Sequence, residues 1–272
     1  MGYLTTEKKK VTVKTFVEMK RDGNKIAMLT AYDYTTARLI DEAGVDSILV
    51  GDSASNVMLG NDSTLPITLD EMIVYARGVA RGCQRALVVC DMPFGTYQVS
   101  PEEGVRNAVR LIRETGVDAV KLEGGEEVAP TIERIVNAGI PVVGHLGLTP
   151  QSIHKFGGYG VRARSEVEAT KLIADAQALE KAGCFAVVLE KIPASVAQQV
   201  TDLLSVPTIG IGAGSHCDGQ VLVYADAMGL TQGFEPKFLR EFAAMGEELR
   251  RGVTAYCEAV KGDEFPNESE SY

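Results

Sequence analysis

The segment Ala138-Gly139-Ile140-Pro141-Val142-Val143-Gly144-His145 contains the pattern on which the fold prediction depends. Gly139 is typical of a glycine that ends a helix in the left-handed conformation. The residues from Pro141 to Gly144 are apolar without a polar alternate, as expected for a strand buried on both faces of a parallel sheet. His145 then follows at the carboxyl end of that strand. The segment therefore predicts a helix-to-strand junction of an α/β protein, with a polar side chain where the strand ends.

The same pattern recurs along the chain. Glycine helix stops occur again at Ala43-Gly44-Val45, Thr115-Gly116-Val117 and Ala182-Gly183-Cys184. Capping boxes predict helix starts at Thr68-x-x-Glu71, Ser100-x-x-Glu103 and Ser165-x-x-Glu168. The predicted strands are Ile26–Ala31, Ser47–Val50, Ala86–Cys90, Ala119–Leu122, Pro141–Gly144, Ala186–Leu189, Thr208–Ile211 and, more weakly, Ala227–Leu230. Eight parallel βα units favour a TIM (β/α)8 barrel over a doubly wound sheet.

Length and composition predict a single globular domain. The chain has 272 residues, of which 45% are apolar and 24% charged, a composition that excludes disorder for the bulk of the sequence. Since no Pro/Ser-rich linker interrupts the pattern, we expect one domain over residues 1–262. That domain includes the N-terminal leader and an amphipathic segment at 235–261. Residues 263–272 are expected to form an acidic, flexible tail.

Charge and cysteine content exclude several classes of protein. The formal net charge of −10 argues against nucleic-acid binding, which needs clustered Lys and Arg. The five cysteines contain no C-x-x-C, so they suggest neither a disulfide framework nor a Cys-rich metal site. No apolar run approaches the ~18 to 20 residues of a membrane span. We therefore expect a cytoplasmic protein with small-molecule partners and no contact with a membrane.

Five consecutive predicted strands each end in a charged or imidazole side chain. These side chains are Asp52, Asp91, Glu123, His145 and Glu190. In a barrel they converge at the carboxyl-end mouth, where enzymes of this fold keep their chemistry. The alternative is that the acids only cap the following helices, but those helices already have Ser or Thr caps. The pattern therefore predicts one common site.

The residue types of this set indicate a hard metal ion. Asp52, Asp91 and Glu123 offer oxygen ligands without a Cys or His cluster nearby, which favours Mg²⁺ over zinc. Lys121 lies two residues before Glu123, so strand alternation places both on one face. Its ammonium could pair with Glu123 or hold an anionic substrate. The alternative is a lysine whose charged end extends away from the barrel into solvent.

Two further residues have roles that the sequence leaves open. Glu190 is a candidate general base facing a metal-held substrate, and the alternative is an ion pair with Lys191 or an arginine. His145 could donate to a developing oxyanion or orient a carboxylate, but it could equally be a structural histidine. The long segment 148–164 after the fifth strand is a candidate lid over the mouth.

The strand ends and the residues around them resemble one enzyme family. The matching motifs are Met28-Leu29-Thr30-Ala31-Tyr32-Asp33, Val50-Gly51-Asp52-Ser53, Cys90-Asp91-Met92-Pro93-Phe94-Gly95, Val120-Lys121-Leu122-Glu123-Gly124-Gly125, Gly144-His145-Leu146-Gly147-Leu148-Thr149-Pro150-Gln151, Leu189-Glu190 and Ile209-Gly210-Ile211-Gly212-Ala213-Gly214. In this order and spacing, from about Thr12 to Val260, they closely resemble ketopantoate hydroxymethyltransferase.

The resemblance implies a fold, a reaction and a set of roles. The fold would be the barrel of the phosphoenolpyruvate-mutase/isocitrate-lyase type. The reaction would transfer a hydroxymethyl group from 5,10-methylenetetrahydrofolate to 3-methyl-2-oxobutanoate through a Mg²⁺-stabilised enolate, giving 2-dehydropantoate in pantothenate biosynthesis. Family members are typically cytoplasmic homo-oligomers, often decamers in bacteria.

The resemblance also assigns individual residues. Asp52, Asp91 and Glu123 would hold Mg²⁺, and Glu190 would accept the proton. Together with the strand-end pattern, the predicted substrate contacts are Asp52, Ser53, Asp91, Lys121 and His145. The nearest alternative is another Mg²⁺-dependent enolate enzyme of the same superfamily, a C–C lyase or a mutase, although such lyases usually carry a Lys-Lys-Cys-Gly-His loop that this sequence lacks. A catalytically inactive barrel that serves as a binding scaffold is a further alternative.

Overall fold

A computed structural model of the chain describes residues 9–272. Its central feature is a closed barrel of eight strands in sequence order, all parallel, in which the last strand pairs with the first. The strands are β1 Ile26–Thr30, β2 Ser47–Val50, β3 Leu87–Asp91, β4 Ala119–Glu123, β5 Val142–Gly147, β6 Ala186–Glu190, β7 Thr208–Ile211 and β8 Gly219–Leu222. The predicted TIM barrel is confirmed.

Helices lie between the strands, as the alternating pattern predicts. They are α1 Val13–Arg21, α2 Tyr34–Ala43, α3 Ala54–Val57, α4 Leu69–Gly82, α5 Pro101–Thr115, α6 Ala129–Asn137, α7 Ile153–Phe156, α8 Glu166–Lys181, α9 Ala194–Leu203, α10 Tyr224–Ala227 and α11 Met245–Lys261. Short 3-10 turns occupy Pro150–Ser152 and Glu268–Glu270.

The predicted helix ends are confirmed by the backbone. Thr68 and Glu71 form a reciprocal capping box at the start of α4. Ser100 caps α5 and Ser165 caps α8 through the side chain, each accepting from the third helical amide. At the other end, the glycine after α2 and the glycine after α5 are left-handed, with φ of 96° and 81°. These caps determine where each helix begins and where it ends before the next strand.

The barrel interior is apolar towards its amino-terminal end. Strand residues such as Met28, Val89 and Val188 belong to one buried cluster with Phe16 of α1. The Phe16 ring packs edge-on against Phe185, just before β6, at 5.8 Å between ring centroids. Helix α1 therefore covers the amino-terminal end of the barrel, and the polar strand ends lie at the opposite, carboxyl end.

The prediction of the eighth strand is wrong. The strand was expected at Ala227–Leu230, whereas β8 is Gly219–Leu222 and residues 224–227 form α10. In β8 the side chain of Gln220 is exposed between buried Gly219 and Val221. Gly219 and Gln220 leave only Val221 and Leu222 as apolar side chains of this strand, a run too short to identify it.

The described chain groups into two compact units. The first ends at Leu222 with the last barrel strand, and the second comprises Val223–Tyr272. This division differs from the predicted boundary after residue 262. The first eight residues of the predicted leader lie outside the described residues, and the acidic tail contains the 3-10 turn Glu268–Glu270.

Helix α11 of the second unit begins ten residues later than the predicted start at residue 235. The amides of Phe242, Met245 and Gly246 instead donate to the carbonyls of Ala227, Met228 and Gly229. Met245 and Gly246 are the first two residues of α11, and the first amides of a helix have no partner within it, so these bonds join the start of α11 to the segment after α10. None of the helices in residues 9–272 is long and apolar enough to cross a membrane.

Candidate active site

The predicted strand-end residues meet at the carboxyl-end mouth of the barrel. Asp91 on β3 is the register partner of Lys121 on β4, and Glu123 at the end of β4 is the partner of His145 on β5. Their exposed fractions are only 2 to 5%. Asp52, directly after β2, is buried to the same extent. The convergence expected from the sequence is therefore confirmed, and none of these acids caps a helix.

Lys121 lies at the centre of this group. Its ammonium nitrogen is 2.9 Å from His145 Nδ1, 3.1 Å from Asp91 Oδ1 and 3.9 Å from Glu123 Oε1. Burial lowers the pKa of Lys121, but the neighbouring carboxylates of Asp91, Glu123 and Asp52 more than compensate, and the net effect is to raise the pKa above its ordinary value. The side chain is thus a buried, protonated lysine, which excludes the alternative of a charged end in solvent.

His145 connects this lysine to Glu190. Because a protonated Lys121 can only donate, the Nδ1 atom of His145 accepts, and the ring proton is on Nε2. Burial lowers the pKa of His145, and the Lys121 charge lowers it further, so the ring is neutral. Its Nε2 lies 3.2 Å from Glu190 Oε2, at the end of β6.

Glu190 does not form the ion pair with Lys191 that was the alternative to its role as a base. Lys191 donates to the carbonyl of Tyr159 at 2.5 Å, and the near neighbour of Glu190 is the imidazole of His145. The side chain of Glu190 is 17% exposed, against 3 to 4% for those of Lys121, Glu123 and His145. Glu190 is therefore the member of this group that a molecule entering the mouth reaches first.

Each of the three remaining carboxyl groups accepts a bond on one oxygen. Asp91 Oδ2 accepts from the amide of Asp52 at 3.0 Å. Glu123 Oε2 accepts from the amide of Gln151 at 2.9 Å, and Asp52 Oδ2 accepts from the side chain of Gln151 at 2.8 Å. The other oxygens, Asp91 Oδ1 and Glu123 Oε1, are buried and accept no well-aligned hydrogen bond among the described residues, although Oδ1 lies 3.1 Å from the Lys121 ammonium and Oε1 lies 3.2 Å from His145 Nδ1.

Burial of several acids together is costly. Burial first, and then repulsion from Asp91 and Glu123, raises the pKa of Asp52 well above its ordinary range. Burial raises the pKa of Glu123 to about 7, partly offset by Lys121. If all three acids were ionised, the group would carry more negative charge than Lys121 neutralises, and the raised pKa values of Asp52 and Glu123 show that this state is unfavourable without a further cation.

The donor chemistry of these residues fits a hard divalent cation. Carboxylate oxygens are the ligands that Mg²⁺ prefers, and two of the oxygens here are buried without a hydrogen bond. As the side chains stand, no three His, Cys, Asp or Glu residues between 9 and 272 surround a common point. The Lys121 ammonium lies between two of the carboxylates instead. Asp52, Asp91 and Glu123 therefore remain the predicted ligands. The prediction depends on the chemistry of their oxygen atoms and not on an observed coordination geometry.

Ser53, a predicted substrate contact, lies beside Asp52 at the mouth. Its hydroxyl is 2.7 Å from the hydroxyl of Tyr32. A Cβ on Gly51 would lie 2.6 Å from the Ser53 oxygen, so glycine is required there for this approach. Tyr32 belongs to one of the motifs quoted above, but sequence reasoning gave it no role. Its hydroxyl fixes the direction of Ser53.

Gln151 and Tyr97 are the main residues that sequence reasoning missed. Both are buried, and the Tyr97 hydroxyl donates to Gln151 Oε1 at 2.6 Å and accepts from the amide of Glu123 at 3.0 Å. Neither side chain is charged, and neither follows a strand directly. The only available signal was that Gln151 belongs to the motif after β5.

The predicted lid comprises residues 148–164. Near its start and near its end, a backbone amide bonds to a carbonyl at the end of β6. The amide of Leu148 donates to the carbonyl of Glu190 at 2.8 Å, and the amide of Arg162 donates to that of Lys191 at 2.9 Å. The Arg162 guanidinium stacks on the Phe156 ring at 4.1 Å and pairs with Glu168. The segment therefore borders the mouth next to Glu190. Its motion as a lid stays a prediction.

A cavity of about 680 Å³ lies on the outer side of β5, beneath this segment. Leu146 lines it, whereas the adjacent His145 points into the barrel, as strand alternation requires. Two of the three cations on its wall have acidic partners, since Arg162 pairs with Glu168 and Lys171 pairs with Asp175; the third is Lys155. The cavity is thus separated from the buried acids by the thickness of one strand.

Comparison with known proteins identifies relatives over almost the whole chain. The sequence profile described as ketopantoate hydroxymethyltransferase matches residues 10–268. The chain is 59% identical over 264 residues to a 3-methyl-2-oxobutanoate hydroxymethyltransferase of Flavobacterium johnsoniae, covering 97% of each chain. It is 60% identical over 266 residues to the protein of the same name from Parabacteroides distasonis, covering 98% of this chain and 97% of that one.

Solved structures with the same fold are more distant in sequence. A 2,3-dimethylmalate lyase, a member of the PEP mutase/isocitrate lyase superfamily, aligns with a TM-score of 0.58 at 17% identity, over 96% of this chain and 91% of its own. A phosphoenolpyruvate phosphomutase from Streptomyces platensis subsp. rosaceus aligns with a TM-score of 0.59 at 15% identity, over 92% and 86%. They confirm the predicted barrel type.

Proposed function

The chain belongs to the ketopantoate hydroxymethyltransferase family, and we propose that it transfers a hydroxymethyl group from 5,10-methylenetetrahydrofolate to 3-methyl-2-oxobutanoate through a Mg²⁺-stabilised enolate. As a member of that family it is a hydroxymethyltransferase. The proposed products are 2-dehydropantoate, in pantothenate biosynthesis, and tetrahydrofolate, and one water molecule is consumed because it supplies the hydroxyl of the transferred carbon. The observation that carries the proposal is the buried group of acids around Lys121, with the more accessible Glu190 beside it.

In this proposal Asp52, Asp91 and Glu123 hold Mg²⁺. The two buried oxygens without hydrogen bonds support that role. When bound beside a 2-oxo acid, the ion draws electron density from the keto group and so makes the neighbouring C3 proton more acidic. Lys121 contributes a fixed positive charge for the anionic end of the substrate, and Ser53 contributes a hydroxyl at the edge of the site.

Glu190 is the proposed base that removes the C3 proton. His145 Nε2 lies 3.2 Å from one oxygen of Glu190, and in this proposal its N–H bonds to that oxygen and holds the carboxylate while the second oxygen takes the proton. His145 itself has no free lone pair, because Lys121 occupies Nδ1. The proposed role of His145 is therefore to orient the base rather than to act as one.

Exclusion of water from the mouth is assigned to residues 148–164. A carbanion-like substrate is readily quenched by solvent protons, so the site must be covered while the carbon bond forms. The segment starts and ends on the backbone next to Glu190, which places it where a cover is needed.

The reaction itself tests the proposal. The purified protein should form 2-dehydropantoate only when 3-methyl-2-oxobutanoate, Mg²⁺ and methylenetetrahydrofolate are all present, as followed by mass spectrometry. Cleavage or rearrangement of an oxo acid without folate would instead favour the second candidate, a C–C lyase or mutase of the same barrel type. No turnover of either kind would favour a binding scaffold.

The resemblance also supports a cytoplasmic homo-oligomer, and a decamer is the assembly that it suggests. The five cysteines are all free in the structure, in keeping with a reducing compartment. Light scattering coupled to size-exclusion chromatography measures the number of subunits directly.

Replacement of Lys121 by Met should raise the KM for the oxo acid by ~10-fold or more, because a charge-assisted hydrogen bond worth ~1.5 to 3 kcal/mol is lost. Steady-state kinetics with the folate held at saturation measure this KM. The substitution also leaves Asp91 Oδ1 without its cationic neighbour, so the melting temperature should fall as well.

Lys20→Met is the matched control for the loss of stability. Lys20 is a largely buried lysine that pairs with Asp218 at 2.9 Å and bonds to the carbonyl of Thr201, near the amino-terminal end of the barrel. It should lower the melting temperature without changing the KM. A defect of Lys121→Met confined to the folate substrate would mean that the lysine serves another ligand.

A further inference from the structure

Gln151 joins two of the acids that the proposed metal site needs. It lies in the 3-10 turn Pro150–Ser152 and is 6% exposed. Its amide donates to Glu123 Oε2 at 2.9 Å, and its side-chain nitrogen donates to Asp52 Oδ2 at 2.8 Å. One residue outside the strands thus contacts acids that follow β2 and end β4.

The orientation of the Gln151 amide is set by its neighbours. Its nitrogen faces Asp52 Oδ2 and the carbonyl of Met92, at 2.8 and 3.0 Å, and a carbonyl oxygen can only accept. Its oxygen faces the Tyr97 hydroxyl at 2.6 Å and the side-chain nitrogen of Gln98 at 3.2 Å. The Tyr97 hydroxyl is in turn held by the amide of Glu123. A flipped amide would direct its oxygen at two acceptors, Asp52 Oδ2 and the carbonyl of Met92, so the donor is directed at Asp52.

These bonds decide which carboxylate oxygens remain available. On Glu123, Oε2 is occupied by the amide of Gln151, and Oε1 is buried without a hydrogen bond among residues 9–272. On Asp52, Oδ2 is occupied by the side chain of Gln151. When a fixed donor holds one oxygen of a carboxylate, the other oxygen is already oriented. The side chain then loses less conformational freedom when it binds a cation.

We propose that Gln151 is a positioning residue that holds Asp52 and Glu123 in the orientation needed to bind a divalent cation. The inference rests on the proposed function, since it requires that these acids are the ligands. Gln151 does not itself touch the cation or the substrate in this proposal. It acts through the two carboxylates and is fixed by Tyr97.

The test measures cation binding without turnover. Gln151→Leu keeps the size of the side chain and the backbone donor but removes the bond to Asp52. Titration of the substrate-free protein with Mn²⁺, followed by the loss of the free-ion EPR signal, should give a Kd raised by ~10- to 100-fold, the range measured for such outer contacts. Activity should recover towards the wild-type level at saturating Mg²⁺, which a general loss of structure would not allow.

Two further variants keep the test decisive. Tyr97→Phe removes the hydroxyl that holds the Gln151 oxygen and should raise the Mn²⁺ Kd less than Gln151→Leu does, because the amide is then freer but still present. It also replaces Gln151→Leu if that variant fails to fold. Gln198→Leu, at an exposed position of α9, is the matched control and should leave the Kd unchanged.

Two different failures can be distinguished. If the wild type binds Mn²⁺ and both Gln151→Leu and Tyr97→Phe bind it equally well, the positioning role is overturned while the metal site stands. If the wild type itself binds no divalent cation, the proposed metal site fails, and the role of Gln151 fails with it.

Discussion

Replacement of Glu190 by Gln is expected to slow exchange of the C3 proton of 3-methyl-2-oxobutanoate by ~10²- to 10⁴-fold, the usual effect of losing a positioned general base. The experiment places the protein in D₂O with Mg²⁺ and the oxo acid but without folate. Exchange then appears in the proton NMR spectrum as collapse of the methyl doublet. Because deprotonation precedes transfer in the proposed reaction, the wild type should exchange without its folate partner.

The structure explains why Glu190→Gln isolates the chemical step. The amide oxygen of Gln can still accept from His145 Nε2–H, so the side chain can keep its position. The proposed metal ligands follow β2 or end β3 and β4, and they are unchanged. The variant should therefore bind oxo acid and Mg²⁺ normally, as calorimetry can show, and lose only the step that needs a basic oxygen.

The control and the contrary outcomes follow from the same geometry. Glu133→Gln, at an exposed position of α6, should exchange at the wild-type rate. If Glu190→Gln also does so, the base lies elsewhere, and His145 is the next candidate only if Lys121 releases its Nδ1. If the wild type does not exchange, adding tetrahydrofolate without its methylene group separates a requirement for bound folate from failure of the enolate step.

The sequence predicted the barrel because its local signals agree with one another. Buried parallel strands are mostly apolar, and this pattern identified seven of the eight strands, including β4 with Lys121 at its centre. The eighth has Gln220 at its centre, where the side chain is exposed, so periodicity points to the wrong segment. Helix α11 starts only at Met245, ten residues into the amphipathic segment 235–261, and before it the amide of Phe242 donates to the carbonyl of Ala227 instead of to a helical partner.

The sequence could predict those residues of the site that are charged and lie at the end of a strand. Lys121 and Glu123 share a face because strands alternate, and this needs no knowledge of tertiary contacts. The role of Gln151 could not be predicted in this way. Its contacts with Asp52 and Glu123 depend on the path of the segment after β5, which turns back into the mouth, and the sequence contains no period or charge that marks that path.

The central position of Lys121 also changes the interpretation of the acids. The sequence predicted three carboxylates as metal ligands and left open whether Lys121 pairs with Glu123 or holds an anionic substrate. In the structure a buried ammonium already lies 3.1 Å from Asp91 and 3.9 Å from Glu123, and it neutralises part of that charge. A divalent cation at Asp52, Asp91 and Glu123 must therefore coexist with the positive charge of Lys121, and an anionic substrate bound between them would reduce the repulsion.

Replacement of Asp91 by Asn is expected to weaken Mg²⁺ binding by at least ~100-fold, the upper end of the effect of contacts around a metal ligand, because a proposed ligand and its charge are both lost. The variant also faces conflicting neighbours. Asp91 Oδ2 accepts from the amide of Asp52, and Oδ1 faces the ammonium of Lys121. An Asn side chain can offer an oxygen to only one of them and must turn its NH₂ group towards the other donor.

The measurements are the Kd for Mg²⁺ by calorimetry and the Mg²⁺ dependence of 2-dehydropantoate formation, and both should change together. Asp41→Asn is the matched control, since Asp41 is a buried acid that accepts from the amides of Gln84, Arg85 and Ala86, away from the predicted ligands. It should lower the melting temperature and leave the Mg²⁺ dependence intact. Unchanged activity of Asp91→Asn at limiting Mg²⁺ would exclude Asp91 as a ligand. If only the KM for the oxo acid rises, Asp91 contacts the substrate without holding the metal.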